Sequence, residues 1–304
     1  MRDVTLIETE LLAAPAADAE SLLPSARRKR LLHILRRPSS IIAMLGVLLL
    51  IVLALFGTAI APYSSGALDL ANQFSGPGAQ HLFGTDDLGR DIFSRVIVGT
   101  QYSLMAVVIV LSIALVVGII VGASAGYIGG LTDEVLMRVT DIFLAFPGIV
   151  LALAIAAALG PSITNGVIAI AAIWWPTYAR LVRGQVLALK NNDYVDAARS
   201  LGSSNVRIIV SHILRNGIAP VLVQLTLDMG NVLVTFAGLS YLGLGAPVGT
   251  AEWGAMVNAG QTNILTNWWL STFPGLAIFL TALDLNLLGD MFQDILAPGA
   301  ARRI

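Results

Sequence analysis

Residues 41–61 form an unbroken apolar run with no charged side chain. At about 1.5 Å of rise per residue, such a run crosses the roughly 30 Å hydrocarbon core of a bilayer as one helix. Arg27-Arg28-Lys29-Arg30 and Arg36-Arg37 precede it and hold its leading end in the cytoplasm. A signal peptide would have a shorter apolar core ending at a small-residue cleavage site, so the run reads as an uncleaved first span. Inside lipid every backbone polar group must be bonded within the protein, which restricts a chain with spans of this length to helices. The composition agrees: 12% of residues are charged, where a soluble domain approaches a quarter, and the mean hydropathy is +0.81.

Further apolar stretches at 103–127, 136–159, 163–182, 218–245 and 270–296 predict an all-α integral membrane protein of about six transmembrane helices. The expected organisation is a cytoplasmic N-terminal tail (1–40), a first span (41–61), an extracytoplasmic segment (62–98) and a core of spans (99–297). That core contains a cytoplasmic loop at 183–216, and residues 298–304 form a cytoplasmic C-terminus. Placed this way, all of the 18 Lys and Arg residues except Arg90 and Arg95 lie on the cytoplasmic side. The positive-inside rule is satisfied, with both termini in the cytoplasm.

The loop is too long for a turn and too patterned for a linker. Asn192 or Asp193 can cap a first short helix, and Gly202 stands where a left-handed C-terminal cap is wanted. Ser203, Ser204 or Asn205 then caps a second helix over 206–214, with Ile208, Ile209, His212 and Ile213 near one face. Ala197 and Ala198 have almost no side chain, so a docking partner can approach the backbone closely. These features predict a protein-binding surface.

Other polar residues interrupt the spans. Gln224, Asp228 and Asn231, spaced four and three, share a helical face, and an intramembrane Asp points into the bundle or toward water. Asp228 either contacts a charged substrate or hydrogen-bonds a neighbouring helix. Arg138 and Asp141 are three apart and can pair. Pro147-Gly148 breaks its span, which suits a translocation path or a simple kink. Gly118, Gly122, Ala125 and Gly126 suit close helix packing, and Trp253, Trp268 and Trp269 suit an interfacial belt. Outside, Asp86, Asp87 and Asp91 could ligate a hard cation. The stronger reading is that Arg90 and Arg95 neutralise them in a folded element at the membrane surface.

Asp196-Ala197-Ala198, then Gly202, then His212-Ile213-Leu214, resembles the "EAA" coupling loop of the membrane subunits of ATP-binding cassette importers. Asp196 stands where that motif has Glu, and Arg215 where it usually has Pro. The fuller string YVxAARSLG…RIIxxHIL resembles the permeases for dipeptides, oligopeptides and nickel. So do HxFGTDxLGRDxxSRxxxG from His81, DxxLAFPxIxLA from Asp141, GLSYLGLG from Gly238 and LNLLGDxxxDxLxP near the end. The resemblance implies a MetI-like permease fold and a coupling loop carried by Asp196, Ala197, Ala198, Gly202 and His212. It also implies a second homologous permease, two ATPase subunits and an extracytoplasmic solute-binding protein, in the cytoplasmic (inner) membrane of a prokaryote. The expected cargo is a di- or oligopeptide, with nickel or glutathione as alternatives. Asp141, Pro147, Gln224, Asp228 and Asn231 are candidates for the translocation path.

The sequence also excludes. Lys29 and Lys190 are the two lysines, and neither lies in a GK[ST] phosphate-binding loop. ATP and Mg are therefore expected on partner chains, with no cofactor in this one. There is no HExxH pattern for intramembrane catalysis, and no catalytic residue is assigned. Cysteine is absent, and His33, His81 and His212 make no metal-ligand spacing. A net charge of -1 carries no sign of a nucleic-acid partner. An ion-gradient-driven transporter or channel would draw on Asp141, Asp228, Asp284 and Asp290 as relays, but the chain shows no clear internal repeat.

Overall fold

The computed structural model describes residues 32–296, and every regular element among them is helical apart from one isolated bridge between Thr85 and Asp91. The Arg27–Arg30 block and Arg302-Arg303 lie outside the described residues. The first span, α1 (Pro38–Ile60), opens on a proline at its first turn, where a missing N–H costs nothing. Only Ser40, Ala43 and Gly57 of α1 are buried, so it lies on the flank of the bundle.

The longest helix, α2 (Ile92–Ile128), has 37 residues. At about 55 Å it exceeds the bilayer thickness. It begins seven residues before the expected core boundary at 99, because Asp91 caps it by accepting a bond from the Ser94 amide at 2.7 Å. Its first turns belong to the outer segment.

Next come α3 (Gly130–Ala145) and α4 (Gly148–Leu159), which meet at 91° across Phe146-Pro147. Pro147 removes an N–H and biases Phe146 away from helix, so the break follows from sequence. α5 (Ile163–Leu189) packs along α2. The contact is made close by glycines: a Cβ on Gly118 would lie 2.4 Å from the Tyr178 Cβ, and one on Gly122 would lie 2.3 Å from the Ala179 carbonyl oxygen. α5 reaches Leu189, so Arg183, expected in the loop, is helical.

The loop holds α6 (Asp193–Ser200), a short α7 (Asn205–Arg207), a π-wound stretch (Ile208–Leu214) and α8 (Arg215–Gly217). α9 (Ala219–Tyr241) follows, then α10 (Trp253–Gly260) and α11 (Trp269–Leu296). α9 packs on α11, where Gly230 faces Asn286 and Gly289 faces Leu227.

Among the described residues, α1, α2, α9 and α11 are long and apolar enough to cross a membrane, and α3–α4 makes a fifth span if the bent pair counts as one. Six were expected. The remaining rod is α5, of 27 residues; its Arg180, Arg183 and Gln185 dilute its hydropathy, while Ile170, Tyr178, Val182 and Val186 bury its other face in the core.

Candidate functional site

The loop between α5 and α9 is built on the ends of α2 and α5. The Lys190 ammonium donates to the Gly126 carbonyl at 2.9 Å, and the Tyr127 hydroxyl donates to the Asn205 side-chain oxygen at 3.0 Å. Arg183 meets Asp133 through two parallel bonds, at 2.5 and 2.6 Å, tying α5 to the start of α3. The loop is thus bonded to α2 as well as continuing from α5, and α5 is itself tied to α3.

Asn192 is the N-cap of α6, without a side-chain cap bond. Val195 and Ala198, three apart, face the core, whereas Ala197 is exposed. The two alanines expected on one docking face are therefore split between inside and outside, because neighbours in a helix point about 100° apart. Asp196 pairs with Arg199 on the same helix at 2.7 Å, both solvent-exposed. Gly202 has φ +77°, the left-handed cap conformation, and nothing stands within 4 Å of where its Cβ would be. Ser204 caps α7, accepting from the Arg207 amide at 3.4 Å. With Arg215 in place of Pro, the helical path continues to Gly217 without a break.

The loop's outward face carries residues that motif reasoning passed over. Leu201 is 87% exposed, Val206 71% and Val210 57%. These apolar side chains lie exposed on the polar, basic loop that joins α5 to α9. The sequence signal was available: apolar residues at positions that a core-facing helical period does not use.

Among the candidate path residues, the Asp228 carboxylate is buried, accepting from the Tyr178 hydroxyl at 2.9 Å and from Gln224 at 3.1 Å. Asn231 is exposed. Asp141 pairs with Arg180 of α5 at 2.6 Å, and both are about half exposed. The expected Arg138–Asp141 pair is not formed, because α5 brings a guanidinium across instead. Asp141 and Asp228 are thus held from Arg180 and Tyr178, neighbouring positions of α5, and are not brought together. Pro147 is exposed.

In the segment between α1 and α2, Asp86 accepts from the Arg90 guanidinium at 2.7 Å and from the Leu88 and Arg90 amides. Asp91 accepts from His81 at 2.9 Å as well as capping α2. The described residues contain no group of three ligands suited to a metal ion. Asp86 is paired with arginine, whereas Asp87 is 60% exposed and only 3.6 Å from Arg90, and Asp91 is held by His81 instead. The belt reading holds less well. Trp253 and Trp269 are buried, donating to the Val96 and Thr85 carbonyls at 2.9 and 3.2 Å, while Trp268 is 49% exposed. Glu252 is fully buried and caps α10 through the Gly254 and Ala255 amides. Burial pushes its carboxyl above the usual range, against those amide bonds.

Apolar spans with a rigidly mounted helical loop, and no nucleotide site of their own, define a membrane permease driven from outside its own chain. Residues 118–302 match the family of binding-protein-dependent transport system inner membrane components, and the chain belongs to that family. It is 43% identical over 263 residues (86% of this chain, 88% of the relative) to the "Probable D,D-dipeptide transport system permease protein DdpC" of Escherichia coli strain K12. It is 46% identical over 264 residues (86% and 87%) to the glutathione transport system permease protein GsiD of Escherichia coli O157:H7, and equally to that of Shigella sonnei strain Ss046. The fold matches a chain of the inward-facing MetNI methionine ABC transporter with a TM-score of 0.53 at 13% identity, covering 67% of this chain and 97% of that one. The chain is accordingly a non-catalytic, multi-pass inner-membrane permease subunit of an ATP-binding cassette importer, whose system includes an ATPase and a binding protein.

Proposed function

We propose that this chain is one of two homologous permeases of a peptide importer, working with two ATPase subunits and an extracytoplasmic solute-binding protein. The observation that carries the docking reading is the loop itself: exposed Leu201, Val206 and Val210 on a body fastened to α2 and α5. Such knobs suit a cleft in a soluble ATPase. Closure of the ATPases then moves the loop, and the anchored helices carry the motion to the outer mouth, so the chain acts as a two-state element biased by its partners. Both termini and the loop are assigned to the cytoplasm from the charge distribution.

The cargo reading rests on the relatives, whose names specify a D,D-dipeptide and glutathione, both peptides in chemistry. The Asp141–Arg180 pair and the Phe146-Pro147 break support a path on the α3–α4 side. Exposed charge and irregular backbone cannot face lipid, so a second permease or a water-filled passage covers them.

The test is uptake of labelled dipeptide and glutathione, with labelled nickel in parallel, in cells lacking the gene and complemented by variants. Wild type restores peptide uptake. Gly202→Leu and Val206→Asp abolish transport while the permease still inserts and pairs. Wild-type uptake with both variants would refute the docking assignment, and restoration of nickel uptake alone would move the cargo to a metal.

A further inference from the structure

The 205–217 rod carries a winding that its sequence does not announce. Ile208 and Ile213 are both fully buried, five residues apart. In an α-helix five residues leave two side chains about 140° apart, so they cannot share one core. The π-wound stretch brings them together, because its i→i+5 bonding stacks residues at that separation. Two α-registers compete for the same site. One would pair Ile208 with His212, and the other Ile209 with Ile213. The observed winding takes one isoleucine from each register and leaves Ile209 and His212 half-buried. The wide turn is supported by the Asn216 amide, which donates to the His212 carbonyl at 2.8 Å.

Both ends of the rod are held. Asn205 is bonded to Tyr127 of α2. A Cβ at Gly217 would lie 2.9 Å from a Leu189 methyl of α5 and 3.3 Å from the Gln185 Cβ, so the rod lies close against that helix there. Exchanging Ile208 for Ile209 over the core swaps one isoleucine for another, so buried apolar area hardly changes. Two registers that would bury the same residue type at one place are the kind of alternative that a partner can bias.

We propose that Ile208–Leu214 is a register switch in the docking surface. When the ATPases close, the stretch tightens to α-helix, Ile209 pairs with Ile213 over the core, and Ile208 turns outward. One residue of register is about 100° of rotation, so the 202–208 face turns by up to that angle relative to α9 and the Tyr127–Asn205 bond is released. The proposal rests on the loop's being the ATPase-docking element.

The chain has no cysteine, so Ile208→Cys and Ile209→Cys each supply its single thiol. Maleimide labelling of this subunit is compared in the reconstituted importer complex, nucleotide-free and trapped with ATP and vanadate. Without nucleotide, position 209 reacts and 208 is protected. On trapping, the ratio of their labelling inverts, by about tenfold in each direction if the switch is two-state. An unchanged ratio overturns the proposal. Deleting Ser211, which is exposed, is the second test. It leaves the two anchoring isoleucines four apart, so an ordinary α-helix holds the resting geometry without the extra residue that the switch uses. The ATPases are expected to co-purify with this variant at wild-type yield while transport falls at least about tenfold. Wild-type transport with the ATPases bound overturns the switch. If the ATPases fail to bind even the wild-type chain, the docking reading falls and the switch with it.

Discussion

Gly122→Ala measures how closely α2 and α5 must approach. A Cβ at that position would lie 2.3 Å from the Ala179 carbonyl oxygen and 3.0 Å from both the Ala179 carbonyl carbon and the Arg183 amide nitrogen. These are backbone atoms of a helix, so no rotamer change relieves the overlap. Restoring contact at about 3.5 Å requires the helices to separate locally by about 1 Å, and such a gap forfeits a quarter to a half of the dispersion energy of the pairs around it. With contacts worth about 0.1–0.2 kcal/mol and a few tens of atom pairs in that stretch, the loss is about 2 kcal/mol, within the usual range for overpacking. That is about a 30-fold change in the folding equilibrium and a melting point lower by about 4–8 °C. The assay is thermal unfolding of the purified subunit complex in detergent, followed by loss of the monodisperse chromatographic peak. Gly184→Ala is the internal control, since it lies on α5 with nothing within 4 Å of the added Cβ. Ala is the better helix former, so the control melts at or slightly above wild type. If Gly122→Ala melts within about 1 °C of wild type, the glycine-mediated approach is not what sets the α2–α5 distance.

Two further predictions concern the buried polar groups. Tyr178→Phe removes the donor to Asp228 and leaves a buried carboxylate oxygen short of a partner, costing about 1–3 kcal/mol. Asp228→Asn keeps an acceptor for Tyr178 and costs less, so equal melting points for the two variants would refute the hydrogen-bonding role. Glu252 has its carboxyl raised by burial, so its protonated form is the one the fold favours. The stability it contributes is present below the ordinary glutamate range and declines as pH rises through the raised value. Glu252→Gln should flatten that decline in a pH series of melting curves, and an unchanged slope would place the pH dependence elsewhere.

Much of this protein is legible along the chain because lipid leaves few choices. A run of apolar residues long enough to span, a basic block before it and small residues at helical spacing are local facts, and membrane burial converts each into a helix, an orientation or a contact face. Gly118, Gly122 and Gly126 do lie against α5, and Gly202 is left-handed where a cap was wanted. The pairing of Asp86 was readable for the same reason, since Arg90 is only four residues from it.

What could not be read depended on which distant element arrives at a given side chain. Arg138 is near Asp141 in sequence, yet Arg180 takes the pair because α5 crosses there. Trp253 and Trp269 sit in an interfacial stretch, but carbonyls of other segments turn their indoles inward. Ala197 and Ala198 part because the bundle supplies a core on one side of α6 alone. The π-wound stretch follows the same rule: periodicity offers two α-registers, and the position of the pocket that receives Ile208 and Ile213 selects neither. Local sequence sets the periods and the punctuation, which act through neighbouring backbone, whereas the partner of each polar or buried group is fixed by contacts between segments far apart in the chain.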